Sequence, residues 1–351
     1  MTEKLRIGIA GYGVVGKRRR HFIDRHPRLT TVAVSDVAFG GDGTLPDGVR
    51  HYADFRRMTD EKLDALFVCL PNAIAPEATI MGLNAGFHVF CEKPPGRTVA
   101  DIERVIASEK RHPGLKLKYG FNHRYHESVR EALRIVRSGE MGPVLNLRGV
   151  YGKSKFVSFG ADSDWRVKRA AAGGGILLDQ GIHMVDLMRL FAGEEFADVH
   201  SFVSNAYWGH DVEDNAYALM RTPSGVVAML HSTATQWRHR FHLDIACAKG
   251  ALTLSGLLSG SKSYGAETLT VAWADPEDDS GDPREQVTRY EEDNSWRDEI
   301  AEFADAVLSG TAAVNGSSEE ALRTMQLVFR IYCADPEWRA RWNLTDIVST
   351  T

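Results

Sequence analysis

The amino-acid sequence predicts an α/β protein in two parts: a doubly wound, mostly parallel sheet over residues 1–121 and an α+β domain with a large, predominantly antiparallel sheet over residues 122–351. Three features of the chain point there. A glycine-rich turn follows at once on a short alternating apolar run, strand-like and helix-like segments then alternate to about Phe121, and from Val144 the strands lengthen with no regular helices between them. The first pattern is that of a parallel sheet covered by helices, the second that of strands joined by hairpins.

Lys4 to Ala10 alternates Leu5, Ile7 and Ile9 with other residues, the period of a strand. It opens onto Gly11-Tyr12-Gly13-Val14-Val15-Gly16, a G-x-G-x-x-G pattern after a strand and before a helix, the context in which it holds a dinucleotide. Gly11 makes the turn, Gly13 admits the pyrophosphate, Gly16 lets helix and sheet pack closely, and the phosphates meet the helix N-terminus. A Rossmann domain is therefore predicted, with Tyr12, Val14 and Val15 completing the turn. The next strand, Thr31 to Asp36, ends in an acid twenty positions past Gly16. A carboxylate there accepts hydrogen bonds from the adenosine ribose and repels a 2′-phosphate, so Asp36 favours NAD over NADP. The basic run Lys17 to Arg20 argues for NADP only if one side chain reaches a 2′-phosphate; a solvated helix face is the simpler reading.

Asp64 to Leu70 is a near-continuous apolar run, as in a strand buried on both faces, and Pro71-Asn72 ends it. A helix follows over Pro76 to Ala85, then a strand over His88 to Cys91 that runs into Glu92-Lys93-Pro94. Leu70, Pro71, Asn72, Glu92 and Lys93 stand at the carboxyl ends of strands, which line the ligand crevice of such a sheet. Val99 to Lys110 reads as a helix with Thr98 as its N-cap, and Leu115 to Phe121 as the last strand.

Gly173 to Asp186 is the most distinctive stretch. Three consecutive glycines permit a sharp turn, and the apolar residues after them suit a buried helix. On that helix Asp179, His183 and Asp186, at i, i+4 and i+7, share a face. An imidazole between two carboxylates in an apolar helix needs partners. A hydrogen-bonded core pair, a metal site and a proton-transfer site all remain open from these residues alone.

Strands are predicted at 144–151, 198–206, 215–221, 225–235, 240–247 and 251–255, with Phe241, Leu243 and Ile245 facing a core and His242, Asp244 and Ala246 facing away. A loop is expected over 275–285 and amphipathic helices over 295–308 and 318–333. The net charge of −5 over 351 residues gives no nucleic-acid footprint. No apolar run is long enough to span a membrane, and a cytoplasmic protein with four reduced cysteines, Cys69, Cys91, Cys247 and Cys333, is expected.

Taken together, the glycine turn, Glu92-Lys93-Pro94, Gly120-Phe121-Asn122 with Arg124, and Gly173-Gly174-Gly175 with Asp179, Gly181 and His183 resemble the glucose-fructose oxidoreductase / inositol dehydrogenase / MocA family, from Arg6 to about Cys333. The resemblance implies an NAD(P)-dependent oxidoreductase that interconverts an alcohol and a ketone on a sugar, nucleotide sugar, inositol or related polyol. It implies a catalytic trio of Lys93, Asp179 and His183 and no metal. His183 would be the proton acceptor, Asp179 would orient it, and Lys93 would hydrogen-bond the reacting oxygen. Asn122, Arg124, Tyr151, Trp165 and Arg166 would border the substrate. An open-faced C-terminal sheet would join subunits into a dimer or tetramer. Two other activities occur among such relatives: a lyase or glycosidase-type reaction through transient oxidation, and non-catalytic dinucleotide sensing. The family's usual histidine after Pro71-Asn72 is missing, since position 75 is Ala75. Asp186 matches no catalytic position and reads as support for the helix.

Overall fold

The computed structural model describes residues 4–157, 164–259, 262–277 and 281–345. Seven strands form the first sheet: β1 (Leu5–Ala10), β2 (Leu29–Ser35), β3 (Gly43–Thr44), β4 (Arg50–Tyr52), β5 (Ala65–Val68), β6 (His88–Glu92) and β7 (Leu117–Gly120), in the order β3-β4-β2-β1-β5-β6-β7. Every neighbouring pair is parallel except β3 with β4. Helices α1 (Val14–Ile23), α2 (Ala75–Asn84) and α3 (Val99–Glu109) connect these strands, and Thr98 caps α3 in a reciprocal capping box with Asp101. The chain leaves β1 for β2 on one side and returns to β5 on the other. The crevice between those connections is where sheets of this type bind ligands.

The second sheet has eight strands, β8 (Val144–Gly152), β9 (Asp198–Ser204), β10 (Asn215–Arg221), β11 (Val227–Thr233), β12 (Arg240–Cys247), β13 (Gly250–Ser255), β14 (Glu267–Trp273) and β15 (Glu285–Tyr290). Their order is β15-β14-β13-β12-β8-β11-β10-β9, antiparallel throughout except for β8 with β11. The sequence pattern does not announce β14 and β15; β15 is polar and largely exposed, so it lacks the alternation that marks a half-buried strand. The loop expected over 275–285 gives way to β15 at its end, and its residues 278–280 lie outside the described residues.

The remaining helices are α4 (Glu127–Ser138), α5 (Arg169–Ala172), α6 (Ile182–Ala192), α7 (Ser295–Ser309), α8 (Ser318–Ala334) and α9 (Pro336–Trp342). Phe241, Leu243 and Ile245 are buried on the inner face of the second sheet. Gly149 of β8 leaves room there for Met184 and Met188 of α6. Although α7 comes late in the chain, Ile300 and Phe303 join the core formed by Ile7, Ile9, Phe67 and Phe90 of the first sheet. Phe303 stands edge-on to both Phe67 and Phe90, at 5.5 and 5.6 Å. The outer face of β9, β10 and β11 is uncovered and apolar: Phe202 is 79% exposed, Leu219 51% and Met229 48%, with Tyr217 paired to Phe202 and Leu219 to Met229. Among the described residues no helix is long and apolar enough to cross a membrane, and no disulfide joins any of the four cysteines.

One buried ion pair fixes the central helix to its neighbours. Arg124 donates to both oxygens of Asp186, at 2.7 and 2.6 Å, and to Glu320 Oε1 at 2.5 Å. Removing one partner of such a pair strands the other charge in the interior. Arg124→Met is therefore expected to lower the free energy of urea unfolding by about 3–5 kcal/mol, with part of the loss recovered in the Arg124→Met/Asp186→Leu double variant.

Candidate active site

A cleft of about 780 Å³ runs along the carboxyl ends of the first sheet and under the second. Its nucleotide end is built by the turn after β1. Gly11 has φ +91°, a left-handed conformation, and a Cβ there would strike the Cys69 carbonyl. A Cβ on Gly13 would meet nothing within 4 Å, so the backbone is open to the cleft where a pyrophosphate would lie. Asp36 sits at the end of β2 and accepts from Tyr12 N at 2.9 Å and Ala38 N at 3.0 Å. Gly11, Gly13, Val14, Val15, Asp36, Leu70, Pro71, Asn72, Glu92 and Lys93 all line the cleft. Tyr12 and Gly16 do not. Tyr12 packs beside Phe39 and receives Arg20, while Gly16 packs beneath Gly11. Asn72 also donates to the Ala172 carbonyl at 2.8 Å, tying this wall to α5.

The basic run after the turn is only in part a solvated face: Lys17 is exposed, but Arg19 is not. Arg19 is fully buried and bridges Glu92 at 2.6 Å and Glu299 of α7 at 2.7 Å. Its guanidinium lies 4.2 Å from the Trp296 ring and 4.4 Å from the Phe90 ring. Arg18 and Lys17 line the cleft, and Arg20 holds Asp24 and Tyr12. The helical register puts Arg19 on the face of α1 that packs against the sheet, and the two carboxylates make its burial tolerable.

At the other end of the cleft lie Lys93, Asn122, Tyr151, Trp165, Arg166, Asp179 and His183. The helix carrying Asp179 and His183 begins with a π turn, Leu177–Gly181, before the α-helical stretch. Glu213, wholly buried, accepts from the backbone N–H groups of Gly175 and Leu177, at 2.7 and 2.9 Å, and from the Tyr332 hydroxyl at 2.6 Å. A carboxylate thus satisfies the first free donors of the helix. A Cβ at Gly175 would strike Glu213's own backbone carbonyl, which is why this position of the glycine triplet is small.

Asp179 does not orient His183 as the sequence leads one to expect, for no hydrogen bond joins them among the described residues. The wider π turn breaks the α-helical spacing that would align the two. Lys93 Nζ instead donates to the Asp179 backbone carbonyl and lies 3.5 Å from Oδ1, while Arg166 Nε is 3.9 Å from Oδ2. Burial disfavours the Asp179 carboxylate, but Lys93, Arg166 and Lys153 outweigh it and hold the carboxyl below its ordinary value. His183 is 4% exposed, its Nδ1 is sealed without a partner, and its ring stacks on His123 at 3.7 Å. Burial, reinforced by the neighbouring His123 ring and by Lys93, pushes its pKa well below 6.5. Arg124 is not part of the cleft, because its guanidinium is consumed by Asp186 and Glu320. Asp186 stands apart from the other two acids and bases of the helix for the same reason.

The sequence reading misses His123, His126, Gln180 and Trp296, all of which line the cleft. His123 Nε2 is 3.1 Å from the Tyr151 hydroxyl and its Nδ1 3.3 Å from Asn122 Oδ1. A signal was present: two histidines three residues apart directly follow β7, at the carboxyl edge of the sheet. Among the described residues no group of three or more His, Cys, Asp and Glu side chains could hold a metal ion.

Comparison with known proteins adds an independent line. Residues 5–121 match the oxidoreductase family with an NAD-binding Rossmann fold, and residues 129–253 match the GFO/IDH/MocA C-terminal domain. A myo-inositol 2-dehydrogenase from Thermotoga maritima is 26% identical over 322 residues, 89% of this chain and 91% of that one. The structure of an aldose-aldose oxidoreductase from Caulobacter crescentus, complexed with glycerol, superposes with a TM-score of 0.79 at 26% identity, covering 95% of this chain and 98% of that one. A levoglucosan dehydrogenase in complex with NADH shares the fold with a TM-score of 0.81 at 19% identity, covering 96% and 98%.

The Arg19 cluster makes a pH-dependent contribution to stability. Glu299 is fully buried, and burial, only partly offset by Arg19 and Lys118 and reinforced by Glu92, raises its pKa from 4.5 to about 7. A carboxyl with a raised folded-state pKa adds stability that is complete below about 4.5 and lost as pH rises through about 7. Glu299→Gln should abolish that contribution. The wild-type-minus-variant difference in unfolding free energy is expected to be larger at pH 5 than at pH 7.5, by on the order of 1–3 kcal/mol in urea melts at the two pH values.

Proposed function

Because the chain belongs to the Gfo/Idh/MocA family of NAD-binding oxidoreductases, we propose that it interconverts a secondary alcohol and a ketone on a sugar, nucleotide sugar, inositol or related polyol, with NAD preferred to NADP. The observation that carries the proposal is the convergence of Lys93, Asp179 and His183 at one end of a cleft whose other end holds the glycine turn and Asp36. The nicotinamide of the bound dinucleotide supplies the hydride acceptor. Everything else is the work of side chains.

In the oxidative direction His183 accepts the hydroxyl proton at Nε2, the nitrogen that is not sealed. Its lowered pKa keeps it neutral, and therefore a base, at neutral pH. Lys93 donates to the reacting oxygen and stabilises the negative charge that grows there as the proton leaves. Asp179 acts on Lys93 rather than on His183: its backbone carbonyl and carboxylate hold the ammonium, and the carboxylate also draws Arg166. Asp36 supports NAD because it lines the end of the cleft where a ribose would lie, and a 2′-phosphate would meet a carboxylate there. The uncovered face of β9 to β11 supports self-association, since a contiguous apolar patch of this kind is characteristic of an interface.

The direct test is a panel of polyols and nucleotide sugars assayed with NAD and with NADP. With an active substrate in hand, Lys93→Ala and His183→Ala are each expected to lower kcat/KM by about 10²–10⁴-fold. Wild-type turnover in either variant would overturn the assignment. Because the His183 pKa is lowered, kcat/KM for oxidation should stay level as pH falls through 6.5 and decline only at more acid pH.

Self-association has its own measurement. Light scattering at micromolar protein is expected to report a dimer or tetramer, and Phe202→Glu with Leu219→Glu should shift the species toward monomer while leaving the circular dichroism spectrum intact.

A further inference from the structure

Two imidazoles in the cleft have no part in the reaction just described, and one of them has the better-built proton-handling geometry. His126 Nδ1 lies 2.8 Å from Glu267 Oε2, and both side chains are buried. The same carboxylate accepts from Ser128 N at 3.2 Å, Ser128 Oγ at 2.7 Å and Leu258 N at 3.2 Å. Burial disfavours the charged form of Glu267, but His126 and these donors outweigh it. An ionised carboxylate is an acceptor only, so Nδ1 of His126 carries a proton and donates it to Glu267.

That leaves Nε2 on the far side of the ring, not used by the carboxylate. His126 lines the cleft, and Nε2 has no protein partner among the described residues, yet it is not among the sealed unpartnered atoms that include His183 Nδ1. Its neighbour His123, 5.5 Å away centroid to centroid, stacks on His183. The open nitrogen of His126 therefore lies in the substrate end of the cleft, one imidazole removed from the proposed base. A cross-link serving only to tie the turn after β7 to β14 would have no use for a nitrogen left open to the cleft.

We propose that His126, oriented by Glu267, is a specificity-determining residue whose Nε2 hydrogen-bonds a substrate hydroxyl other than the one being oxidised. The ligand class is thus a ring bearing at least one further hydroxyl away from the reacting carbon. The proposal rests on the alcohol-oxidising function above. A substrate lacking that hydroxyl leaves a buried polar atom unpaired, and such a site discriminates strongly against it.

The experiment pairs a spectroscopic readout with a kinetic one. In wild-type protein labelled with ¹⁵N at histidine, NMR is expected to show His126 with a proton on Nδ1. With the polyol that the panel identifies, His126→Phe should raise KM at least about tenfold with kcat changed less than about threefold, and the preference over the corresponding deoxy compound should collapse. If His126→Phe does not fold, His126→Asn serves instead, because its shorter amide can still donate to Glu267 while nothing remains at the Nε2 position; the same rise in KM is expected. A ring without a proton on Nδ1 in the wild type, or an unchanged KM and preference in the folded variant, overturns the proposal. Failure of the underlying function shows separately, as no NADH formation by the wild type on any polyol, and takes this inference with it.

Discussion

A single guanidinium, that of Arg19, ties together the parts on which the cleft depends. It comes from the helix that follows the glycine turn, it holds Glu92 at the end of β6 immediately before Lys93, and it holds Glu299 on α7. Burying one cation between two carboxylates is costly to assemble and costlier to break, so the three elements are fixed relative to one another. Lys118, also buried, repeats the device on the next strand: its ammonium joins Tyr125 at 2.7 Å, Glu302 of α7 at 2.7 Å and the Asn315 carbonyl at 2.5 Å. Through these two cations α7 is clamped to the carboxyl edge of the first sheet. The position of Lys93 is thereby set from outside the cleft.

The central helix is held by the same logic with the signs reversed. Glu213 satisfies its N-terminal donors, and Asp186 meets Arg124 on the side away from the cleft. Between these anchors the π turn turns Asp179 toward Lys93 and leaves His183 among aromatic rings, stacked on His123 and edge-on to Phe121 at 6.3 Å. Three polar side chains that look equivalent on a helical wheel therefore have three different surroundings. Asp179 faces cations, His183 is desolvated, and Asp186 is locked in an ion pair.

Most of the first sheet is legible in the sequence because its strands are buried on both faces and its turns carry Gly and Pro. β10 and β12 are legible because alternation is strict in a half-exposed strand. β15 is not, since exposure on both sides removes the alternation. The site was legible as a set of residues but not as a set of bonds. Lys93, Asp179 and His183 do line one cleft end, yet the expected Asp179–His183 hydrogen bond depends on an α-helical spacing that the π turn abolishes, and nothing in the residue types encodes that turn. Arg124 was misplaced because its partners Asp186 and Glu320 are far along the chain. Arg19 was misread for the same reason, as neither Glu92 nor Glu299 can be seen to approach it from the sequence.

The electrostatics of the substrate end follow from that rearrangement. Lys93, Lys153 and Arg166 surround a single carboxylate, and the same Lys93 that steadies Asp179 lowers the proton affinity of His183. A base of low proton affinity is a poor acceptor for an ordinary hydroxyl. Under the proposed reaction the difficulty is resolved by the same ammonium: hydrogen-bonded to the reacting oxygen, Lys93 makes that hydroxyl more acidic while it makes His183 less basic. The two effects oppose one another on the proton but agree on the oxygen, where negative charge must be stabilised as the C–H bond breaks. Lys93 is then better understood as the group that sets the reaction's charge balance than as an accessory to the histidine, and its ties to Asp179 are what keep it at that position.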